Sequence, residues 1–358
     1  MSHLEQRLEH DLQEIREAVA RLGAALEGAI DASITALLSG NRQLAYETIL
    51  RDQVINRQVR RIDRLCYAFV ARHLPSAGHL RFVSSVLRIN VALERIGDYA
   101  VTICRETIRM SEVPWGTLRR DFDVLAREAA RALHQSLEAF RTGNPELARG
   151  TRGMAKELGR SFDEVFDDLV EEAKKGERSV IDLFALLLAF NRLSRICDQA
   201  ENICEEVMFS VLGETKPPKV FRVLFLDAGD GRWARVGAAL AAERFGNRMV
   251  ATAGLLPGQK PPAEEREAEQ FGIDVSRVTP QVLELIPEVL GRFHIVICLT
   301  EDLACRLSTR PYHTVFLHWD LAPLLEAGEA GKAVQELRNR LDWLHGILIG
   351  EPGDPAAE

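Results

Sequence analysis

The chain has no apolar run of membrane-spanning length: stretches such as Phe184–Phe190 stop far short of the roughly 20 residues a spanning helix needs. It has no basic excess. The formal net charge of −8 argues against a general nucleic-acid binder, whose phosphate contacts need a basic face. It has no CxxC pair and no Cys/His spacing of a zinc site. Its six cysteines (Cys66, Cys104, Cys197, Cys204, Cys298 and Cys305) are scattered through 358 residues. That pattern fits reduced thiols in a cytoplasmic protein, not a disulfide scaffold. It opens on MSHLEQRLEHDLQEIREAVARL, charged and helical in period, so no secretory signal is expected. What is present, 46% hydrophobic and 27% charged residues, is the composition of a soluble globular protein. The length allows two or three domains with proper cores.

From Ser2 to about Leu212 the pattern is long, amphipathic and nearly free of β-branched alternation, which predicts helices only. Gly40-Asn41 and Gly143-Asn144 each pair a helix-ending glycine with an N-cap, and Pro145 reinforces the second start. Pro75-Ser76, Pro114 and Gly176 supply further breaks. Six helices in two sets of three result, and short connections pack each set as an antiparallel bundle. Residues 1–112 form the first bundle and 113–212 the second. The GETKPPK stretch breaks the pattern and marks 213–220 as a linker. Beyond it, Val220–Leu226, Met249–Ala253, Phe293–Leu299 and Thr314–Leu317 read as apolar strands alternating with helices. Residues 221–349 are therefore an α/β domain with a parallel sheet, and 350–358 a frayed tail. The fold class is all-α tandem three-helix bundles followed by an α/β domain.

The stretch from Leu93 to Cys104, LERIGDYAVTIC, returns as LSRICDQAENIC from Leu193 to Cys204, one hundred residues later (193 − 93). Leu, Arg, Ile, Asp, Ala, Ile and Cys recur in register, which marks an internal duplication. Glu94 and Asp98 stand at i and i+4, so a helix stacks both carboxylates on one face. Read alone, such a pair is two solvated acids, with Arg95 or Arg60 as candidate counter-charges. Asp52 and Asn56, again at i and i+4, lie on the neighbouring long helix. If the two helices face each other, four oxygen-bearing side chains converge, the donor set of a hard cation. Cys197 and Cys204, at i and i+7, read as small core residues.

LERIGDYAV resembles the motif of the PhoU family, and PSAGHLR (Pro75–Arg81) resembles that family's P-x-A-x-D-L-R segment, with His79 where an Asp is usual. The resemblance covers roughly Leu8 to Leu212. It implies two tandem three-helix bundles whose paired acidic motifs bind metal, commonly iron, with manganese or zinc as alternatives. Carried over, the first site uses Asp52, Asn56, Glu94 and Asp98. The second repeat departs from the pattern. Ser194 replaces the first acid and leaves Asp198. An offset of 103 residues (143 − 40) sets Ala155 opposite Asp52 and Gly159 opposite Asn56. Glu157 and Glu201 are near enough to compensate, but a weak or empty second site is expected. The family's partners are the phosphate importer ATPase and a phosphate-sensing histidine kinase. A homo-oligomer is open, and membrane contact is expected only through partners.

VLFLDAGDGRWARVGAAL places a glycine-containing turn between a first strand and a helix, where α/β folds hold phosphate on backbone N–H groups. It resembles the start of low-molecular-weight protein tyrosine phosphatases and thioredoxin-coupled arsenate reductases, which open with VLFxCxGNxCRS. ATAGL (Ala251–Leu255), FGIDVSR and HWDL (His318–Leu321) resemble further pieces of those families, in the same order. In the loop itself, Asp227 stands at the cysteine, Asp230 replaces the Asn, and Trp233 stands at the arginine, while Gly229 is retained. Arg232 and Arg235 flank the arginine position, and Ala322-Pro323 replaces an Asp-Pro general acid. Without a thiolate there is no covalent intermediate. Cys298 and Cys305 keep a reductase's spacing but lack its first cysteine, so they read as core residues. The expectation is a non-enzymatic, metal-binding cytoplasmic regulator of phosphate uptake and signalling, with a pseudo-phosphatase domain. The alternative is an enzyme acting on phosphate or arsenate through Asp227, Arg232 and Arg235.

Overall fold

In the first helix, Leu12, Ile15, Val19, Leu22, Leu26, Ile30 and Leu37 recur every three to four residues, and all are buried. That spacing puts one apolar stripe along the helix and commits it to a bundle. The computed structural model describes residues 3–73, 75–158, 161–259, 270–300, 310–311 and 313–350. Its contacts divide the chain into two units, between Lys216 and Pro217.

The first unit holds α1 (His3–Ser39), α2 (Arg42–Arg72) and α3 (Ala77–Arg109), then α4 (Gly116–Thr142), α5 (Pro145–Leu158), α6 (Ser161–Lys175) and α7 (Val180–Leu212). The two repeats begin their second helices alike. Gly40 and Gly143 both take positive φ, at 68° and 60°. Asn41 then caps α2 by accepting from the Leu44 N–H, and Asn144 caps α5 by accepting from Glu146 and Leu147. The equivalence continues inward, where Ala45 and Thr48 are buried, as are Ala148 and Thr151.

The sequence predicts six helices; the described residues carry the fifth of them as α5 and α6, on either side of residues 159–160, which lie outside the described residues. The repeats are not independently packed. α3 lies against α7 and α1 against α4, and one apolar core runs from Leu12 through Phe122 and Phe190 to Met208. α1 contains an 18-residue window of hydropathy 1.3, apolar enough by length and composition to cross a membrane. Its apolar side chains are the bundle core, and core helices pass the same test.

The second unit is a parallel sheet in the order β3-β2-β1-β4-β5. Its strands are β1 (Phe221–Leu226), β2 (Met249–Leu255), β3 (Gln281–Val282), β4 (Ile295–Cys298) and β5 (Val315–His318). Between them run α8 (Arg232–Phe245) and the short α9 (Pro287–Leu290), and after them α10 (Ala322–Glu326) and α11 (Ala330–Ile349). Val223 and Phe225 face the cluster that includes α8 and α11, while Leu224 and Leu226 face a second cluster with Leu290 and Val296. Burial on both faces explains the unbroken apolar run of β1. The chain steps outward from β1 to β2 and β3, then crosses to β4 and β5 on the other side. The ends of β1 and β4 therefore form the topological switch point where open α/β sheets place ligands.

Candidate functional site

α2 and α3 meet at Gly97, where an added Cβ would lie 3.3 Å from Ile55 Cγ2 and 3.4 Å from Asp52 Oδ1. This glycine brings Asp52 against α3. The Asn56 amide donates to Asp52 Oδ2 at 2.7 Å. Burial pushes the Asp52 carboxyl above its ordinary value, the facing Asp98 pushes it further, and Asn56 and Arg105 oppose. Asp52, Asn56 and Asp98 are therefore brought together. Glu94 is exposed, one turn before Asp98 on α3. Among the described residues no three His, Cys, Asp or Glu side chains gather as a metal ion requires. The oxygen-only donor set suits a hard cation, but as placed it presents a facing pair of acids with Glu94 beside them.

The corresponding face of the second repeat is filled from within. Arg195 donates to Asp198 at 3.0 Å. Arg152, from α5, pairs with Glu201 at 3.4 Å and Glu205 at 3.1 Å, and Lys216 also reaches Glu205. Arg152 is the residue the motif comparison missed; its place on α5, one turn before Ala155, was the available signal. The close-packed position is also inverted. Gly97 and Asp52 in the first repeat become Cys197 and Ala155 in the second, both buried, so the bulk has moved to the other helix and the acid is gone. The Glu157 side chain, Gly159 and Cys305 lie outside the described residues.

In the second unit the loop after β1 sits at the switch point and is closed on itself. Asp227 is 2% exposed. Its Oδ1 accepts from the N–H groups of Gly229 at 2.9 Å and Gly231 at 3.0 Å, and its Oδ2 from Ala234 at 2.9 Å. Those are the N–H groups of a turn and helix N-terminus, the donors that hold an anion in such a position. Here the chain's own carboxylate takes them. Gly231 is required: φ is +80°, and a Cβ would stand 2.1 Å from Leu255 Cδ2. Asp230 accepts from the Arg232 backbone and pairs with its guanidinium at 3.2 Å. Arg235 is buried and donates to the carbonyls of Val275 and Val278, so it is turned away from the loop. Trp233 is half-buried beside the core. Gln259 bonds across to the Gly229 carbonyl and, through Oε1, to the Leu256 N–H at 2.6 Å. Asp227 holds the turn rather than facing solvent as a nucleophile would.

The described cysteines are all buried. Burial pushes Cys66, Cys197 and Cys204 up to about 12 and Cys104 to about 11, so none of these four is a thiolate at neutral pH.

Residues 19–107 and 122–207 each match a family model described as the PhoU domain. The phosphate-specific transport system accessory protein PhoU homolog of Pseudomonas putida is 29% identical over 214 residues, 59% of this chain and 83% of that protein. The phosphate-specific transport system accessory protein PhoU of Escherichia coli strain K12 is 26% identical over 212 residues, 59% of this chain and 88% of that protein. Among solved structures, PhoU from Pseudomonas aeruginosa matches with a TM-score of 0.55 at 27% identity, over 57% of this chain and 99% of that one. The phosphate transport system regulatory protein PhoU from Streptococcus pneumoniae, 22% identical at a TM-score of 0.55, shares the fold. The helical half is PhoU-like.

Two outcomes follow from these geometries. Asp227→Ala strips acceptors from three N–H groups, and should cost the α/β unit about 2–4 kcal/mol. Urea unfolding that resolves the two units should show the helical transition unmoved; unchanged stability of the α/β unit would mean the carboxylate does not hold the loop. Asp52 carries the opposite sign. Its folded pKa is raised above 3.8, so the cost belongs to the ionised form and is present above that raised pKa. With a chelator present, Asp52→Asn should stabilise the protein near neutral pH, and the gain should vanish as pH falls below the ordinary carboxylate range. Destabilisation by Asp52→Asn at neutral pH would remove Asp98 as an uncompensated neighbour.

Proposed function

We propose that this PhoU-like chain is a non-enzymatic, cytoplasmic regulator of phosphate uptake that acts by binding other proteins. The observation that carries the reading is the match of both helical repeats to the PhoU domain, together with relatives named as phosphate-transport accessory proteins. The partners it fits are the phosphate importer ATPase and a phosphate-sensing histidine kinase. In cells from which the protein is removed, phosphate uptake should stay high when external phosphate is abundant. Uptake that falls normally in those cells would overturn the reading.

The first repeat is the metal-binding one in this proposal. A hard cation, iron, manganese or zinc, would be held by Asp52, Asn56, Glu94 and Asp98, and would relieve the charge that burial and Asp98 now impose on Asp52. In the second repeat Arg152 and Arg195 already answer the acids. The α/β unit is a pseudo-phosphatase, because the carboxylate of Asp227 fills the donors that would grip an oxyanion. Elemental analysis of purified protein should find metal in the wild type and in Asp198→Ala, and lose it in Glu94→Ala/Asp98→Ala. Equal metal in the wild type and the double variant would sink the site.

A further inference from the structure

The duplication that keeps the cores alike reverses the charge of the outer helices. At the offset of 103 residues, Ile62 and Cys66 of α2 correspond to Val165 and Leu169 of α6, and all four are buried. The same offset sets Arg60, Arg61 and Arg64 against Asp163, Glu164 and Asp167. At these three positions the spacing is identical and the sign is inverted, whereas Arg57 corresponds to Arg160 and keeps its sign.

On α2, Arg57, Arg60, Arg61 and Arg64 are exposed on the side away from the core. Arg61 reaches Glu14 of α1 at 3.1 Å. Arg57, Arg60 and Arg64 have no hydrogen-bond or ion-pair partner among the described residues. Tyr67 and Val70 stand beside them, 63% and 43% exposed. On α6, Asp167 and Asp168 are exposed, next to Phe166 at 45% and with Val124 of α4 at 51%. Burial raises the Asp121 carboxyl on α4, Asp168 raises it further, and Arg120 opposes. Among the described residues the α2 ridge is mainly basic and that of α6 mainly acidic, with Lys174 and Lys175 paired to Glu171 and Glu172 at the end of α6, in a chain whose net charge of −8 leaves a basic ridge as a local exception.

We infer that the outer ridge of α2 docks on the outer ridge of α6 in a second copy of this chain, so that copies associate head to tail. A basic ridge alone would fit any acidic surface. What selects a second copy is that the complementary ridge exists in the same molecule, at the equivalent positions and with the same spacing. Both ridges pair charge with exposed aromatic side chains, the composition of protein interfaces. The contact is heterologous, so it does not close on itself as a two-fold dimer does. Being charged at its rim, it weakens with salt.

Sedimentation velocity on the full chain tests this. At low salt the wild type should grow with concentration beyond a dimer, and about 0.5 M salt should return it to monomer, since screening then acts within a few ångströms. Arg60→Glu/Arg64→Glu alone and Asp167→Arg/Asp168→Arg alone should each be monomeric, with association at least tenfold weaker. An equimolar mixture of the two should associate again, because the intact α2 ridge of one meets the intact α6 ridge of the other and the two reversed ridges are complementary as well. A wild type that stays monomeric, a dimer indifferent to both variants, or a mixture that stays monomeric overturns the proposal. So does a monomer whose α2 ridge instead binds anionic lipid vesicles and loses them on Arg60→Glu/Arg64→Glu. Circular dichroism controls for folding; if a reversal misfolds, Arg60→Gln/Arg64→Gln and Asp167→Asn/Asp168→Asn carry the same comparison. Failure here leaves the role in phosphate uptake standing, since that rests on the repeats' kinship and not on this contact.

Discussion

The packing of α3 against α7 is the constraint on which the helical half depends. These two helices carry the two copies of the duplicated motif, and their shared apolar residues lie buried in the one common core: Leu93, Ile96, Ala100 and Ile103 on α3, Leu193, Ile196, Ala200 and Ile203 on α7. Because both helices also hold their own repeat together, a change on the seam disturbs two bundles at once. Cores of native density transmit such changes and tolerate them poorly. Residues outside the seam are under no such restraint. That is why Leu, Ile and Ala recur in register while Glu94 becomes Ser194 and Asp52 becomes Ala155.

Freed from the core, the two outer faces have diverged in charge. In the first repeat Gly97 lets α2 approach closely enough for Asp52 to be half-buried against Asp98, and two carboxylates then repel in reduced dielectric. In the second, Cys197 takes the space of Gly97, and Arg152 reaches Glu201 and Glu205. One face keeps a charge imbalance that an external cation can relieve. The other has relieved it from within, by ion pairs with an arginine of its own.

Much of this was legible in the residues, and the parts that were not share a cause. Periodicity placed α1 to α4 and α7, because long apolar stripes at helical spacing admit few other structures. β3, two residues long, gave no alternation to read, and it forms only because β2 offers an edge at Gly254 and Leu255. The residues of the acidic face were named from the motif, but spacing cannot say how closely side chains converge. It gives four oxygens on facing helices, and the fold sets Asp52 against Asp98 with Glu94 one turn away on α3.

Asp227 shows the same limit most clearly. From the sequence it is an acid standing where a nucleophilic cysteine is expected. The fold shows a side chain with both oxygens bonded to the N–H groups of its own loop. Those bonds are charge-assisted and lie at a helix N-terminus, where a negative charge is favoured. An enzyme of this architecture needs those donors free until substrate arrives, and so must keep the loop formed without them. Here the loop is formed by filling them, which stabilises the turn in the absence of any ligand. Arg152 in the helical half and Asp227 in the α/β half are therefore two instances of one solution. In each, the chain supplies from itself a charge of the sign its own unpaired groups call for, and gains a rigid surface in place of a reactive one.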